Sequence, residues 1–438
     1  MASGAIAKQG FTQEAFETFL AQRREPAWLV ELRREAWSVF LELPLPDRTQ
    51  EEWMRTDIRA LKLHQFGIPS SSDSIKPLAK ALLTEGIDLA GRAVTSDSRA
   101  LPTRLDPELI DRGVLFGGLE ELIQSHGDLI RPYLFTKAVD YRVDKFAALH
   151  AACMSGGAVL YVPKGVVIDR PVHIFSSLSR DAVDFSHTLI ILDEGAEATV
   201  LSETASVDPS AAGLHSGAIE IFVGPSARLR YVNLQNWGTG VWHFAHQKAL
   251  LDRDADIQWT IGALGSRLAK VNQHVALVGP SANAQVNGVM FTEGKQHLSY
   301  HTLQRHYAPH CSSDLLYKGA LQDKSRLVWR GMIKVDRDAQ KTDGYQRNDN
   351  LILSEDARAD SIPGLEIEAD DVKCSHGATA GRVDDEQVFY ACCRGLTRKE
   401  ATRLIVTGFF QQVFDRITID SVRHALGDAI GRRIREYK

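Results

Sequence analysis

The chain has 438 residues, of which 44% are hydrophobic and 24% are charged, and its formal net charge is −5 at pH 7. One ordinary core rarely grows to this length, so we expect two or three regions or a repeat that grows by stacking. The mildly acidic balance gives no electrostatic case for binding nucleic acid, which needs a basic face. No apolar run reaches the roughly 18 residues that a membrane-spanning helix needs.

The cysteine count and the N-terminal sequence indicate the compartment. Five cysteines, at positions 153, 311, 374, 392 and 393, are an odd number in a long chain and favour reduced thiols over a disulfide framework. The stretch MASGAIAKQGFTQEAF lacks the basic segment followed by an apolar one that is typical of a secretory signal. We therefore expect a cytoplasmic protein, with neither a membrane nor nucleic acid among its partners.

Residues 1–155 form the first predicted region, which is mostly helical. Large apolar residues recur at helical spacing on both sides of a proline at position 26. They are Phe16, Phe19, Leu20, Trp28, Leu32, Ala36 and Phe40. Residues 66–100 are rich in Ser, Gly and Pro and predict a loop or mobile connection, and residues 107–155 look helical again.

Residues 156–383 form the second predicted region, in which the pattern changes to the alternation of β-strands. A polar or Gly-Pro turn is repeatedly followed by a small residue and then, in most copies, by a strand. The copies align on Ala196, Ala227, Ala255, Ala282, Ser325 and Ala357, with spacings of 31, 28, 27, 43 and 32 residues. Such a unit, without intervening helices, predicts a stacked β-solenoid, with a β-sandwich as the alternative. The longer gap predicts one insertion.

The predicted insertion, residues 294–318, carries four histidines and a cysteine. They are His297, His301, His306, His310 and Cys311. Imidazole and thiolate suit zinc or iron. On an extended chain, however, His297 and His301 share one face while His306 and His310 lie on the other, so they do not converge without a turn. Solvated or strand-pairing histidines are the favoured interpretation, and a metal store is the alternative.

A second cysteine and histidine occur two positions apart in the stretch VKCSHG. On a strand, Cys374 and His376 point to the same face, about 7 Å apart at their Cα atoms. A thiolate and an imidazole can hold zinc, iron or an iron-sulfur fragment. They supply at most half of a tetrahedral shell. The pair is therefore either structural or a metal site that needs ligands from a partner.

Residues 384–438 form the last predicted region, which is helical. Asp384 and Thr397 each precede a Gln or Glu by three positions, which predicts two helix starts, and Gly395 stands where a helix C′ glycine belongs. The second helix, through about residue 417, has apolar residues over more of its circumference than one core-facing stripe requires. They are Leu404, Ile405, Phe409, Phe410, Val413, Phe414 and Ile417. This surface either meets another protein or packs as a cap onto the end of the solenoid.

Local catalytic motifs are absent from the sequence. There is no G-x-x-x-x-G-K-[ST], no G-x-G-x-x-G, no G-x-S-x-G and no H-E-x-x-H. We therefore expect no ATP hydrolysis by this chain. A β-helix lyase or hydrolase acting on carbohydrate is an alternative function, which the missing local carboxylate constellation does not favour.

Two tracts resemble a known family. Residues 341–396, KTDGYQRNDNLILSEDARADSIPGLEIEADDVKCSHGATAGRVDDEQVFYACCRGL, closely resemble the C-terminal part of the SufB/SufD family, whose members are subunits of the SUF iron-sulfur cluster assembly system. LPDRTQEEWMRTDIRAL is similar to an N-terminal segment of the same family. The CSHGAT sequence resembles the SufD branch, whereas the SufB branch reads more like EHEAT at this place. A SufB-like, cluster-bearing paralogue is the alternative.

The resemblance implies a mainly β fold, with a right-handed parallel β-helix flanked by N-terminal and C-terminal helical regions. It implies that the chain is not an enzyme but a scaffold subunit in iron-sulfur cluster assembly and iron acquisition. The implied partners are a SufB-like paralogue, which binds at the β-helix end, and a SufC-like ABC-type ATPase, which binds the helix at 397–417. A homodimer of this chain is left open.

The resemblance also assigns the cysteine and histidine pair. His376 matches the family histidine that faces the SufB subunit where the nascent cluster forms, and Cys374 matches the neighbouring cysteine. Iron or an iron-sulfur cluster is then a transient occupant of the subunit interface, and this chain alone binds no cofactor stably. Flavin binding by the complex is left open.

Overall fold

The computed structural model describes residues 10–69 and 77–434. The Ser-rich centre of the predicted connection, residues 70–76, lies outside the described residues, as do residues 1–9 and 435–438. None of the described helices is both long enough and apolar enough to cross a membrane.

Two long sheets form a β-solenoid of about eight turns, and the chain alternates between them. The strands of sheet 1 are β1 (Gly91–Ser96), β2 (Arg99–Ala100), β3 (Arg104–Leu105), β6 (Val172–Leu178), β9 (Glu197–Ser206), β11 (Arg228–Asn236), β13 (Asp256–Ala263), β15 (Asn283–Thr292), β17 (Ser312–Leu321), β19 (Asp343–Ile352) and β21 (Lys373–Arg382). The strands of sheet 2 are β4 (Leu115–Gly118), β5 (Gly157–Val162), β7 (Ala182–Asp184), β8 (His187–Leu192), β10 (Ala212–Val223), β12 (Gly240–Leu251), β14 (Leu268–Leu277), β16 (His297–His306), β18 (Arg326–Val335) and β20 (Arg358–Ile367).

Neighbouring coils pair in parallel and in register, as β14 does with β16 and β17 with β19. The mainly β parallel solenoid that the repeat predicted is confirmed, and the sandwich alternative is wrong. Alternation along each strand turns one face inward. In β14, for example, Ala269, Val271 and Val275 lie in the core between the sheets, whereas Asn272 and His274 face outward.

The predicted insertion at 294–318 is wrong, because that range holds β16 and β17, which form a regular coil. The repeat alignment combined turns that precede sheet 1 strands with turns that precede sheet 2 strands, which lie on opposite edges of the solenoid. Ala282 precedes a sheet 1 strand, as do the three aligned alanines before it, but Ser325 and Ala357 precede sheet 2 strands. The gap of 43 residues is therefore about one and a half coils. Cys311 is the next member of the sheet 1 edge, directly before β17.

The sheet 1 turns have a specific backbone geometry. The residue before the small one lies in the left-handed region, with φ of +56° at Ser226, +57° at Asp254 and +61° at both Ser281 and His310. This conformation is uncommon outside glycine. His310 is therefore a turn residue of the repeat, which explains its presence without a metal.

The N-terminal part contains helices that pack on the outer face of sheet 2. The described helices here are α1 (Gln13–Ala21), α2 (Ala27–Glu42), α3 (Pro107–Asp111), α4 (Leu119–Ile130) and α5 (Lys145–Cys153), with 3-10 turns at Glu51–Trp53 and Leu63–Gln65. The helices predicted around Phe16 and after Pro26 are confirmed as α1 and α2. Phe146 of α5 stacks on Phe244 of β12, with 3.6 Å between ring centroids.

Two predictions for this part are wrong in detail. Within the predicted connection at 66–100, β1 pairs in parallel with β6 and begins the solenoid. Within the predicted helical range 107–155, β4 pairs antiparallel with β5. Both strands are short and contain glycine, at Gly91 and at Gly117 and Gly118, so their alternation is weak in the sequence. Pairing to a neighbouring strand decides their structure.

The described C-terminal part, up to residue 434, has three helices, α6 (Asp385–Cys393), α7 (Arg398–Phe414) and α8 (Asp420–Arg433). The predicted capping box between Thr397 and Glu400 is present, and Gly395 has φ of +93° after α6. The helix α7 lies against the outer face of sheet 1, where Lys318 Nζ of β17 donates a hydrogen bond to the Phe409 carbonyl at 3.0 Å. The alternative that this helix caps the end of the solenoid is wrong.

Candidate assembly end and its neighbouring helices

The solenoid is open at its C-terminal end. Strand β21 is the last strand of sheet 1 and β20 the last of sheet 2, and each pairs with one neighbouring strand in the sheet order of the described chain. The outer edge of each strand therefore presents backbone N–H and C=O groups without a strand partner. Such an edge is a template for pairing with another chain.

The hydrophobic core also reaches this end uncovered. In β20, Leu365 and Ile367 are in register with Ile333 and Val335 of the preceding coil. Ile333 and Val335 are completely buried, but Leu365 and Ile367 remain 36% and 40% exposed. Because the same face is buried one coil earlier, the missing cover is what exposes it. An apolar patch next to two free edges is typical of a protein interface.

Cys374 and His376 lie on β21, in this last coil. They are in register with Gly344 and Gln346 of β19. Cys374 packs beside Ile333 and is half-buried, and burial raises the pKa of its thiol above the usual value. This shift disfavours the thiolate that a metal needs.

His376 is the more available of the two donors. Its side chain is exposed and forms no hydrogen bond or ion pair with any residue in the described ranges. Its register partner Gln346 is buried and donates from Nε2 to the Gly364 carbonyl at 2.9 Å. The Gln346 Oε1 atom is buried and has no partner among the described residues. The end of the solenoid thus presents a free imidazole above a polar position of the core.

The pair does not form a complete metal site within the chain. Across the described residues, no group of three or more His, Cys, Asp or Glu side chains could hold a metal ion. Cys374 and His376 supply two donors, fewer than the four of a tetrahedral metal site. Another molecule would have to provide the remaining ligands.

The five residues of the histidine-rich stretch do not converge. His301 faces outward and its Nδ1 lies 2.7 Å from Glu52 Oε2, whereas His306 faces the core and its Nε2 lies 2.8 Å from Ser313 Oγ. Burial lowers the pKa of both His297 and His306 to about 4. Cys311 is buried at the solenoid edge. The predicted separation on two strand faces is confirmed for His301 and His306, whereas His310 lies in the turn after β16 and not on a strand face.

The seven apolar residues of the predicted docking helix divide into two groups. Four of them, Phe410, Val413, Phe414 and Ile417, are between 0% and 5% exposed and pack in the cluster between sheet 1 and the C-terminal helices. Ile405 and Phe409 are half-buried, and Leu404 is 60% exposed. A partner can contact only the second group without displacing α7.

Sequence reasoning missed two exposed residues of α6, the helix that neighbours α7. Phe389 and Tyr390 of α6 are 70% and 62% exposed, whereas Val388 is completely buried. The signal was present, since three consecutive large apolar residues on one short helix cannot all face the core. Because α6 and α7 are neighbouring helices, we group these two side chains with Leu404, Ile405 and Phe409 of α7 and call them the α6–α7 surface.

The fold and this open end define a class of protein, a β-solenoid with an uncovered assembly end and an adjoining apolar helical surface. Two family models match the chain, and together they cover most of it. The model described as "SUF system FeS cluster assembly, SufBD core domain" matches residues 174–409, and "SufBD protein N-terminal region" matches residues 14–174. The chain belongs to the SufBD family of iron-sulfur cluster assembly proteins.

Curated relatives agree with this assignment along nearly the whole chain. "Iron-sulfur cluster assembly protein SufD" of Bacillus subtilis is 29% identical over 433 residues, which cover 98% of this chain and 99% of the relative. An "Iron-sulfur cluster assembly SufBD family protein" of Staphylococcus epidermidis is 26% identical, covering 92% of this chain and 89% of the relative. The chain is a SufD homologue, and the alternative of a carbohydrate-active enzyme is withdrawn.

Proposed function

We propose that the chain is a non-catalytic scaffold subunit that assembles iron-sulfur clusters together with a SufB-like paralogue and a SufC-like ABC-type ATPase. The observation that carries this proposal is the open C-terminal end, where two free strand edges, an uncovered core and the exposed His376 occur together. Family membership supplies the reaction class. The absence of phosphate-binding motifs in the sequence supports a separate ATPase subunit.

The SufB-like paralogue binds at the open end in this proposal. Its own end strands extend the two sheets past β20 and β21, and its core side chains cover Leu365 and Ile367. Main-chain hydrogen bonds along two edges then add to apolar burial, as in other interfaces formed by strand addition. A second copy of this chain, which presents the same edges, is the competing occupant.

Iron or the nascent cluster is the cargo at this interface. His376 contributes an imidazole nitrogen, and the partner contributes the thiolate and the remaining ligands. Cys374 is a weaker candidate ligand than His376, because its half-buried thiol has a raised pKa and packs beside Ile333. The chain therefore orients and completes the site without being the principal ligand donor.

The ATPase binds the α6–α7 surface. Exposed apolar residues on two adjacent helices offer an anchor for a partner, and Phe389, Tyr390 and Leu404 are the most exposed of them. Large aromatic side chains are the usual centres of such interfaces. The buried part of α7 holds this surface on sheet 1.

The first experiment co-expresses the chain with a SufB-like and a SufC-like subunit and follows both assembly and cluster formation. Leu365→Asp places a charge at the centre of the proposed interface and is expected to abolish co-purification of the SufB-like subunit. His376→Ala is expected to leave co-purification intact and to lower the yield of reconstituted cluster. Ser375→Ala, on the neighbouring position of the same strand, is the matched control. Undiminished cluster formation with His376→Ala removes this residue from the mechanism.

The second experiment separates the ATPase contact from the open end. The double variant Phe389→Ser/Leu404→Ser is expected to lose the SufC-like subunit and to keep the SufB-like one. Gln412→Ser changes another exposed position of α7 and is expected to keep both. If the double variant still binds the ATPase as the unaltered chain does, the α6–α7 surface is not its docking site.

A further inference from the structure

A groove of about 400 Å³ lies on the outer face of sheet 2. Its floor is formed by the outward side chains of β12, β14, β16 and β18. Its roof is formed by residues of the loop between α4 and α5, namely Ala138, Val139, Asp140 and Val143. The volume is within the range of small-molecule sites.

The floor consists of two rows of side chains that cross the four strands in register. The first row is His246, Asn272, His301 and Arg330. Each of its charged or titratable members has a carboxylate partner from the N-terminal part. These pairs are His246 Nε2 with Asp144 Oδ2 at 3.0 Å, His301 Nδ1 with Glu52 Oε2 at 2.7 Å, and Arg330 with Glu51 at 2.7 Å and Glu52 at 2.5 Å.

The second row is Lys248, His274, Leu303 and Met332. Its two basic members are not paired in this way. Lys248 Nζ donates to the carbonyl of Lys137 at 3.2 Å and, among the described residues, forms no ion pair with a carboxylate. The Nε2 atom of His274 is buried and has no hydrogen-bond partner in the described part of the chain. A buried polar donor or acceptor that faces a groove can be satisfied by a water, an ion or a ligand that enters it.

The local electrostatics favour a negative occupant. Burial lowers the pKa of Lys248, and burial together with the positive charges of Lys248 and Arg305 lowers that of His274 to about 3. The roof carboxylate of Asp140 already accepts a hydrogen bond from the Arg142 backbone N–H at 2.9 Å. An anion in the groove would add to the attraction that Asp140 and Glu220 exert on Lys248, which forms no ion pair among the described residues, and it would accept a hydrogen bond from the Nε2–H tautomer of neutral His274.

We propose that this row binds an organic anion, with its phosphate or carboxylate group over Lys248 and His274 and its apolar body along Leu303 and Met332. The four positions span about 14 Å at the spacing of neighbouring strands, so one ligand can reach from the basic to the apolar half. This site is independent of cluster assembly at the open end. It would make the chain a small-molecule binder as well as a scaffold subunit.

The groove is built before any ligand enters. Its roof is held by the buried carboxylate of Glu220 on β10, which accepts hydrogen bonds from the backbone N–H groups of Phe135 and Val139 at 2.9 and 3.0 Å. A preformed site loses less conformational entropy on binding.

The test titrates the full chain by calorimetry with phenyl phosphate, benzoate and inorganic phosphate. Binding of phenyl phosphate or benzoate is expected, and the tighter of the two identifies the preferred anionic group. Inorganic phosphate lacks the apolar body and is expected to bind about tenfold more weakly than phenyl phosphate. The double variant Lys248→Gln/His274→Gln is expected to weaken the tighter aromatic anion by at least about tenfold.

Two further variants keep the test decisive. Lys324→Gln removes an equal charge in the turn before β18, where the lysine pairs with Asp356, and is expected to leave binding unchanged. Leu303→Trp fills the apolar half and is expected to abolish binding of the aromatic anions without removing a charge. The proposal is overturned if neither aromatic anion binds, if inorganic phosphate binds as tightly as phenyl phosphate, or if a folded Lys248→Gln/His274→Gln variant binds like the unaltered chain.

Discussion

The two ends of the solenoid differ in how their edges are protected. At the N-terminal end, β1 pairs with the short antiparallel strands β2 and β3, and sheet 2 ends in the four-residue antiparallel strand β4. Short edge strands are one way in which proteins avoid pairing with another chain. At the C-terminal end, β20 and β21 have ten residues each and stay parallel and uncovered.

Buried carboxylates on β9 and β10 fasten neighbouring segments to the N-terminal half of the solenoid. Glu203 accepts hydrogen bonds from the backbone N–H groups of Leu82 and Leu83 at 2.6 and 3.0 Å, which fastens the preceding segment to sheet 1. Glu220 does the same for the loop on sheet 2. The open end has exposed core residues and a free imidazole instead. One end is therefore stabilised within the chain, and the proposed function assigns the cover of the other end to a partner.

The largest expected effect comes from making the same substitution at both ends. Leu160→Ala in β5 removes a completely buried side chain and should lower the free energy of unfolding by about 2–5 kcal/mol. Leu365→Ala in β20 removes a side chain that is already 36% exposed, and we expect a loss of under about 1 kcal/mol in the isolated chain. Urea unfolding followed by far-UV circular dichroism measures both. Equal losses would mean that the open end is as well packed as the closed one.

A pH dependence of intermediate size should come from Glu203 on β9, in the N-terminal half of the solenoid. Burial raises the pKa of Glu203 to about 7, despite the two N–H donors, from an ordinary value of 4.5. Between these two values the folded state binds a proton that the unfolded state has lost, so this stabilising contribution is complete below about pH 4.5 and lost as pH rises through 7. The free energy of unfolding of the unaltered chain, relative to that of Glu203→Gln, should therefore fall by about 3 kcal/mol over this window. A difference that stays constant from pH 5 to 8 would show that Glu203 titrates normally.

The sequence period predicted the solenoid but not which edge each turn occupies. Small residues follow turns on both edges, so Ser325 and Ala282 look alike in sequence although they begin strands of different sheets. The left-handed residue that precedes the small one, such as Ser281, is a better marker of the sheet 1 edge. Backbone conformation is only weakly encoded by Ser, Asp or His at such a position.

The sequence predicted part of the open end, namely its metal-binding residue types, but not which side chains there are exposed. The chemistry of Cys374 and His376 was readable from residue types, but their unequal burial depends on where the last coil ends. Pro363 within β20 is a local signal, because a proline lacks the N–H that an inner strand donates and is typical of edge strands.

For the helix α7, the sequence showed the apolar residues but not what they contact. Its apolar circumference was evident, yet a sequence alone does not say that Phe410 and Val413 pack on the chain's own sheet.

The smallest effect on the free energy of unfolding is expected at His376, on the last strand of the open end. Its exposed ring makes no hydrogen bond or ion pair within the described residues, so His376→Ala should change the free energy of unfolding of the isolated chain by less than about 0.5 kcal/mol. His424→Ala, at another exposed histidine, is the matched control, and urea midpoints compare the two. A loss well above that of the control would mean that His376 supports the final coil. An unchanged stability leaves the residue free for a partner, since a side chain that contributes nothing to its own fold can still act in what the fold assembles.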